Sequence, residues 1–239
     1  MKKLVAEQSF WDLFPQAVIG VVAVSGMKPS SEIGDDDLAQ IEQLLDTANR
    51  RAERHLTSET ISKNEVVAVW RDAYQKFKTK RGARCSIENL LKRVLKDKPV
   101  GHITPAVDLY NAISLSYALP CGGEDIDHIE GDMRLTVTEG GDSFRPLGED
   151  DEPTLPGELC YLDDAGAVCR CWNWRDGVRT ALNDETSSAV MIIECVDPSR
   201  VDDTKAAITE LGEHLETFFG CEIVSSGLLT VDNREIVIA

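Results

Sequence analysis

The chain reads as an α+β protein, a sheet-rich core with helices packed on one side. Three observations point there. Before residue 118, apolar residues recur every three to four positions, the period of an amphipathic helix. After residue 133 the pattern changes to short alternating segments separated by Gly, Pro, Asp and Asn, as strands joined by tight turns require. The length, 239 residues, is enough to bury roughly 70% of the unfolded surface without a disulfide or metal staple.

The elements follow in order. Residues 17–27 are β-branched and apolar up to Ser25-Gly26, which predicts a buried strand. A helix is expected from Asp36, with Leu38, Ile41, Leu45, Ala48, Ala52 and Leu56 on one face and acids in its first turn. A Ser62-x-x-Glu65 capping box predicts the next helix, carrying Val66, Val69, Trp70, Ala73 and Phe77. This first third reads β-α-α, so residues 1–78 are expected as a layer packed on a body formed by 79–220. A short basic helix is expected at 86–96. Thr104-Pro105 supplies a cap and a first-position proline for a helix reaching Tyr117. Strands are expected at 133–138, 158–163, 168–174 and 189–196. The last helix, 203–219, buries Ile208, Leu211, Leu215 and Phe219 and stops at Gly220. A strand or hairpin fills 222–238 within the closing segment 221–239.

Forty-two acids against twenty-five bases give a net charge of −17. Taken whole, that argues against a general grip on nucleic acid or anionic lipid, which needs a positive field. The distribution is uneven, however. From Lys76 to Lys98 nine bases face two acids, so this window carries +7 and the remainder −24. Such a strip reads either as a localised anion contact or as a solvated face paired with acids elsewhere. No segment approaches a membrane span, and the apolar run Ala17–Val24 is too short. Glu7 and Asp12 precede that run and spoil a signal-peptide reading. Seven cysteines without a CxxC pair fit the cytoplasm, as buried small hydrophobes, and no cofactor or metal is expected.

No P-loop, G-x-G-x-x-G, H-E-x-x-H or G-x-S-x-G motif is present, and the four histidines are scattered. Two stretches remain. Asp108 and Asn111 share a helix face, where they either cap a neighbouring loop or line a pocket. In Trp172-Asn173-Trp174-Arg175-Asp176, strand alternation puts both tryptophans on one face and Asn173 with Arg175 on the other. The tryptophans either fill the core or stack a base beside an anion-gripping arginine.

Four ordered segments carry a resemblance: Arg84-x-Ser86-x-x-Asn89-Leu90, Val107–Asn111, Leu119–Asp127, and Pro156-Gly157-Glu158 leading through Asp163-Asp164 to Trp174-Arg175-Asp176 and Thr180. Together they resemble the B3/B4 domain of the phenylalanyl-tRNA synthetase beta subunit, in standalone form, over about residues 79–220. The resemblance implies a B3/B4-like fold with a pocket between helices and strands. In the synthetase that pocket hydrolyses the ester of a wrongly attached amino acid such as tyrosine at the 3′ end of tRNA. The implied partner is tRNA or an aminoacyl-tRNA 3′ end, and the implied activity is trans-acting deacylation. The other reading is a non-catalytic module that binds tRNA or a small ligand. Asp108, Asn111, Asn173, Trp174, Arg175 and Thr180 would face substrate, and Lys78, Lys80, Arg81 and Arg84 would meet RNA. The turn from Pro120 to Asp125 matches one that carries a histidine in the synthetase, where this chain has Gly122. The catalytic residues are therefore left unassigned.

Overall fold

A computed structural model describes residues 1–239. The chain builds two sheets. The larger has six strands in the order β10 (Glu235–Val237), β1 (Lys3–Ala6), β4 (Met133–Val137), β5 (Leu159–Asp163), β6 (Gly166–Arg170) and β7 (Arg175–Asp176). The smaller runs β3 (Cys121–Asp125), β8 (Ser188–Cys195), β2 (Val18–Ser25), β9 (Glu222–Leu229). Six helices complete the chain: α1 (Gln8–Leu13), α2 (Asp35–Arg51), α3 (Glu65–Ala73), α4 (Ser86–Val94), α5 (Pro105–Tyr117) and α6 (Val201–Phe219).

Alternation along β2 and β8 explains the layering. Val18, Val22, Val24, Met191 and Ile193 join the core under α5 and α6, with Leu109, Ile208, Leu211 and Leu215. Ile19, Val21, Ala23, Val190 and Ile192 face the larger sheet and pack with Leu4, Leu135, Tyr161 and Trp172. One face of the small sheet is thus covered by α5 and α6 and the other by the larger sheet, while α1, α3 and α4 add Phe10, Trp70 and Leu91 to that second core. At Gly20 α6 comes so close that a Cβ would lie 2.6 Å from Ile208 Cγ2. Any larger residue there would push the helix off the sheet.

The expected α+β class stands, and several local expectations change. The helix expected to reach Leu56 ends as α-helix at Arg51 and continues as a 3₁₀ turn, Ala52–His55. Ser62 does not cap α3; Asn64 precedes it, and its buried amide ties back to Ser58 and Ile61. Residues 1–78 are not a layer laid on a finished body. β2 sits between β8 and β9, and β1 between β10 and β4, so this segment completes both sheets. Pro120–Asp125, expected as a turn, contains β3, which pairs antiparallel with β8 from Cys121↔Ile193 to Asp125↔Ala189. The 222–238 segment is not a simple hairpin either: β9 pairs with β2 and β10 with β1, so the chain changes sheets between them.

A candidate substrate cavity between the two sheets

The strand expected at 168–174 ends at Arg170, and the next four residues turn. Cys171 (φ 47°) and Trp172 (φ 65°) both adopt left-handed backbone, which non-glycine residues reach at a cost of order 1 kcal/mol or more each. This break overturns the expected alternation. Trp172 goes inward and is fully buried, whereas Trp174 is half-buried on the outside. Trp172 is held by Phe10, Phe14 and Trp70, at ring-centroid distances of 5.3, 4.8 and 4.9 Å.

Beside that turn, between β3 and β8 of one sheet and β5 and β6 of the other, lies a cavity of about 40 Å³. Glu124, Asp176 and Glu194 bring three carboxyl groups to its wall, along with Tyr161, Asn173 and Ser86. Glu194 Oε1 accepts from Tyr161 Oη at 3.0 Å, and its Oε2 accepts from Asn173 Nδ2 at 3.3 Å. The Tyr74 hydroxyl, 2.9 Å from both Cys171 O and Asn173 Oδ1, fixes the amide. Other wall groups have no partner: Ser86 Oγ, Glu124 Oε2 and Trp172 Nε1 are buried without a hydrogen bond, as is Thr180 Oγ1 nearby. Buried polar atoms are rarely left so, and their concentration around one cavity marks a place for something polar to bind.

Burial also sets the protonation of the wall. Loss of water raises Glu194 to about 8, and Glu124 and Asp176 are raised for the same reason, Glu124 also by the charge of Asp176. A carboxyl raised from 4.5 to about 8 favours the fold while protonated, so its contribution is complete below pH 4.5 and is lost as pH climbs through 8. We expect denaturant-unfolding stability to fall across that window, by at most about 1.4 kcal/mol per pH unit from this one group. In Glu194→Gln the fall should be shallower by that amount. Parallel pH curves for the two proteins would refute the assignment.

The residues singled out from sequence are distributed as follows. Asn173 lines the cavity, and Thr180 is buried next to it, its carbonyl accepting from Asp125 N at 2.8 Å. Arg175 pairs with Glu149 at 2.8 Å and lies 5.3 Å from the Trp174 ring, outside the cavity. Lys80 approaches the same ring at 6.0 Å and pairs with Glu152. Asp108 accepts from Ile103 N and contacts His102 Nδ1, both at 2.8 Å, so it organises the loop before α5. Neither it nor the buried Asn111 lines the cavity. Lys78, Arg81 and Arg84 are exposed on the loop joining α3 to α4. Arg84 also borders a second cavity, about 250 Å³, where Arg71 grips the buried Glu88 at 3.0 and 2.5 Å. Two further acids reach the wall: Glu194, whose readable signal is an acid inside the otherwise apolar run Ala189–Cys195, and Glu124, which has no comparable sequence mark. A Cβ built on Gly122 meets nothing within 4 Å, so this position leaves the wall open.

The family model described as the B3/4 domain matches residues 69–217, more than half of the chain. The chain belongs to the B3/4 domain family. The match spans α3 to α6 and so contains the whole cavity wall. Among solved structures, this B3/4 protein is similar to an N-terminal fragment of the phenylalanyl-tRNA synthetase beta-subunit from Pyrococcus horikoshii, with a TM-score of 0.50 and 12% identity. The likeness covers 92% of this chain and 49% of the fragment, so the B3/4 protein spans about half the fragment's length. At that identity the shared property is the fold. No curated relative matches. No helix of the B3/4 protein is long and apolar enough to cross a membrane.

Proposed function

We propose that this B3/4 protein binds the aminoacylated 3′ end of tRNA and hydrolyses the ester in trans. The observation that carries the reading is the 171–174 turn beside the orphaned polar wall. It sends Asn173 into the cavity and Trp174 outward, next to Arg175 and Lys80. A terminal base would stack on Trp174, since base–aromatic stacking with a nearby cation suits any nucleotide. The amino end of the aminoacyl group would enter the cavity, with Thr180 as a further hydrogen-bond donor. An aminoacyl ester is already activated, so a positioned water and polarisation of its carbonyl suffice, and no nucleophilic side chain is required. Glu194, titrating near 8, suits proton exchange with that water at neutral pH. Lys78, Lys80, Arg81 and Arg84 would meet the acceptor-stem phosphates, giving an otherwise acidic protein one local RNA contact. The reading sets the protein in a reducing cytoplasm, where its seven free, buried thiols stay reduced.

Incubation with a panel of mischarged tRNAs should show at least one ester lost faster than in buffer, and Trp174→Ala should slow that loss. If every ester survives as long as in buffer, deacylation is refuted. RNA affinity should fall with salt, and the Lys78→Ala/Arg81→Ala protein should lose about two units of the log–log slope. An unchanged slope would remove these bases from the interface. Gly122, standing where the synthetase resemblance places a histidine, favours a second reading, a module that binds the charged end without cleaving it. Tight binding of an aminoacyl-tRNA whose ester remains intact would select it.

A further inference from the structure

The cavity wall holds Glu124, Asp176 and Glu194 and contains no Lys, Arg or His. The nearest guanidinium groups are committed elsewhere: Arg179 forks onto Asp163 at 2.7 and 2.6 Å, and Arg175 pairs with Glu149. Three carboxyl groups thus share a water-poor site with no basic side chain in its wall, Arg179 acting on Glu124 only from outside it, an arrangement a fold tolerates only at a cost. They are not alike. Both oxygens of Glu194 already accept hydrogen bonds. Glu124 is 4% exposed, lines the cavity, and its Oε2 has no partner. No group of three or more His, Cys, Asp or Glu side chains is arranged to hold a metal ion, which turns attention to an organic cation. A volume near 40 Å³ is about three water positions, enough for an ammonium group and a carbon or two and too little for an aromatic ring.

We propose that this cavity receives the protonated amine of a small ligand, with Glu124 as its main counter-ion and Asp176 as the second. The identification of that amine with the amino group of an aminoacyl ester rests on the deacylase reading above; the electrostatic complementarity does not. Ser86 Oγ is an acceptor for one further ammonium hydrogen, and Trp172 Nε1–H is a donor to a neighbouring oxygen. Binding would leave each of these groups satisfied.

The test uses two probes of similar size on the whole protein. Ethanolamine carries the ammonium group and ethylene glycol replaces it with a hydroxyl. Titrated into the native protein and followed by the Trp172 indole N–H resonance, ethanolamine should saturate the shift with an affinity at least about tenfold above that of the glycol. Glu124→Gln, which keeps volume and removes charge, should abolish that preference. Equal responses, no response to ethanolamine, or an unchanged preference in the variant would each overturn the proposal, and the native-protein comparison decides even if the variant does not fold. A second arm separates this inference from the deacylase reading. Acetylating the amine of a cleavable aminoacyl-tRNA should stop its hydrolysis. Cleavage of free and acetylated esters at one rate would refute the amine site and leave deacylation standing. Failure to cleave any ester would refute deacylation, while the ethanolamine titration would still decide the amine.

Discussion

Arg170→Met should destabilise the chain by about 3–5 kcal/mol in urea unfolding, a large share of the roughly 5–15 kcal/mol of an ordinary domain. Arg170 is 1% exposed and Glu158 is 0% exposed. The guanidinium forks onto the carboxylate at 3.0 and 2.7 Å and donates to Glu152 O at 2.7 Å. Removing the arginine leaves Glu158 inside the protein with Leu155 N at 3.1 Å as its remaining backbone donor. The penalty comes from that stranded charge and not from any large net value of the pair. Arg170→Met/Glu158→Leu should therefore recover most of the loss. If the double variant is as unstable as the sum of the two single variants, the ion pair is not the cause. Arg170 also closes β6 immediately before the 171–174 turn, so the single variant should weaken ligand binding at the cavity as well.

Trp172→Ala should cost a similar amount, about 3–5 kcal/mol, because it empties the centre of a five-ring cluster. Phe10, Phe14, Trp70 and Phe77 all pack against this indole. Trp172→Phe separates packing from polarity. It keeps an aromatic ring, leaves a smaller cavity and deletes the buried N–H that has no partner, so its cost should be clearly smaller than that of Trp172→Ala. The same variant should bind cavity ligands more weakly, since it lacks that donor. A loss for Phe as large as for Ala would mean that the shape of the indole, and not ring burial as such, holds the turn.

The helices were the most legible part of the sequence. α5 begins at the cap and proline that announce it, with Thr104 Oγ1 accepting from Val107 N, and α6 ends at Gly220 in the left-handed conformation. β8 was readable for its apolar run, Ala189–Ile193, broken only at Glu194. β3 was not, because Cys121-Gly122-Gly123-Glu124-Asp125 has no β-branched residue; its strand form is imposed by pairing with β8. β1 and α1, at four and six residues, are too short to show a period. The 171–174 turn was hidden for another reason. Left-handed backbone at a cysteine and a tryptophan has no sequence mark, since local preference is overruled by the rings that hold Trp172. That one hidden turn decides which residues reach the cavity: Asn173 enters it, and Arg175, expected on the same face, does not.

The place of β2 in the small sheet also sets a timetable for synthesis. Its eight residues are nearly all apolar, and its partners are β8 and β9. About 160 residues separate its end from the start of β8, which at roughly 5–20 residues per second is on the order of ten to thirty seconds of translation. Throughout that interval the nascent chain carries an unpaired apolar strand with both edges open. A ribosome stalled before residue 188 would therefore release a sticky fragment, and slower elongation would lengthen the exposure that a chaperone must cover.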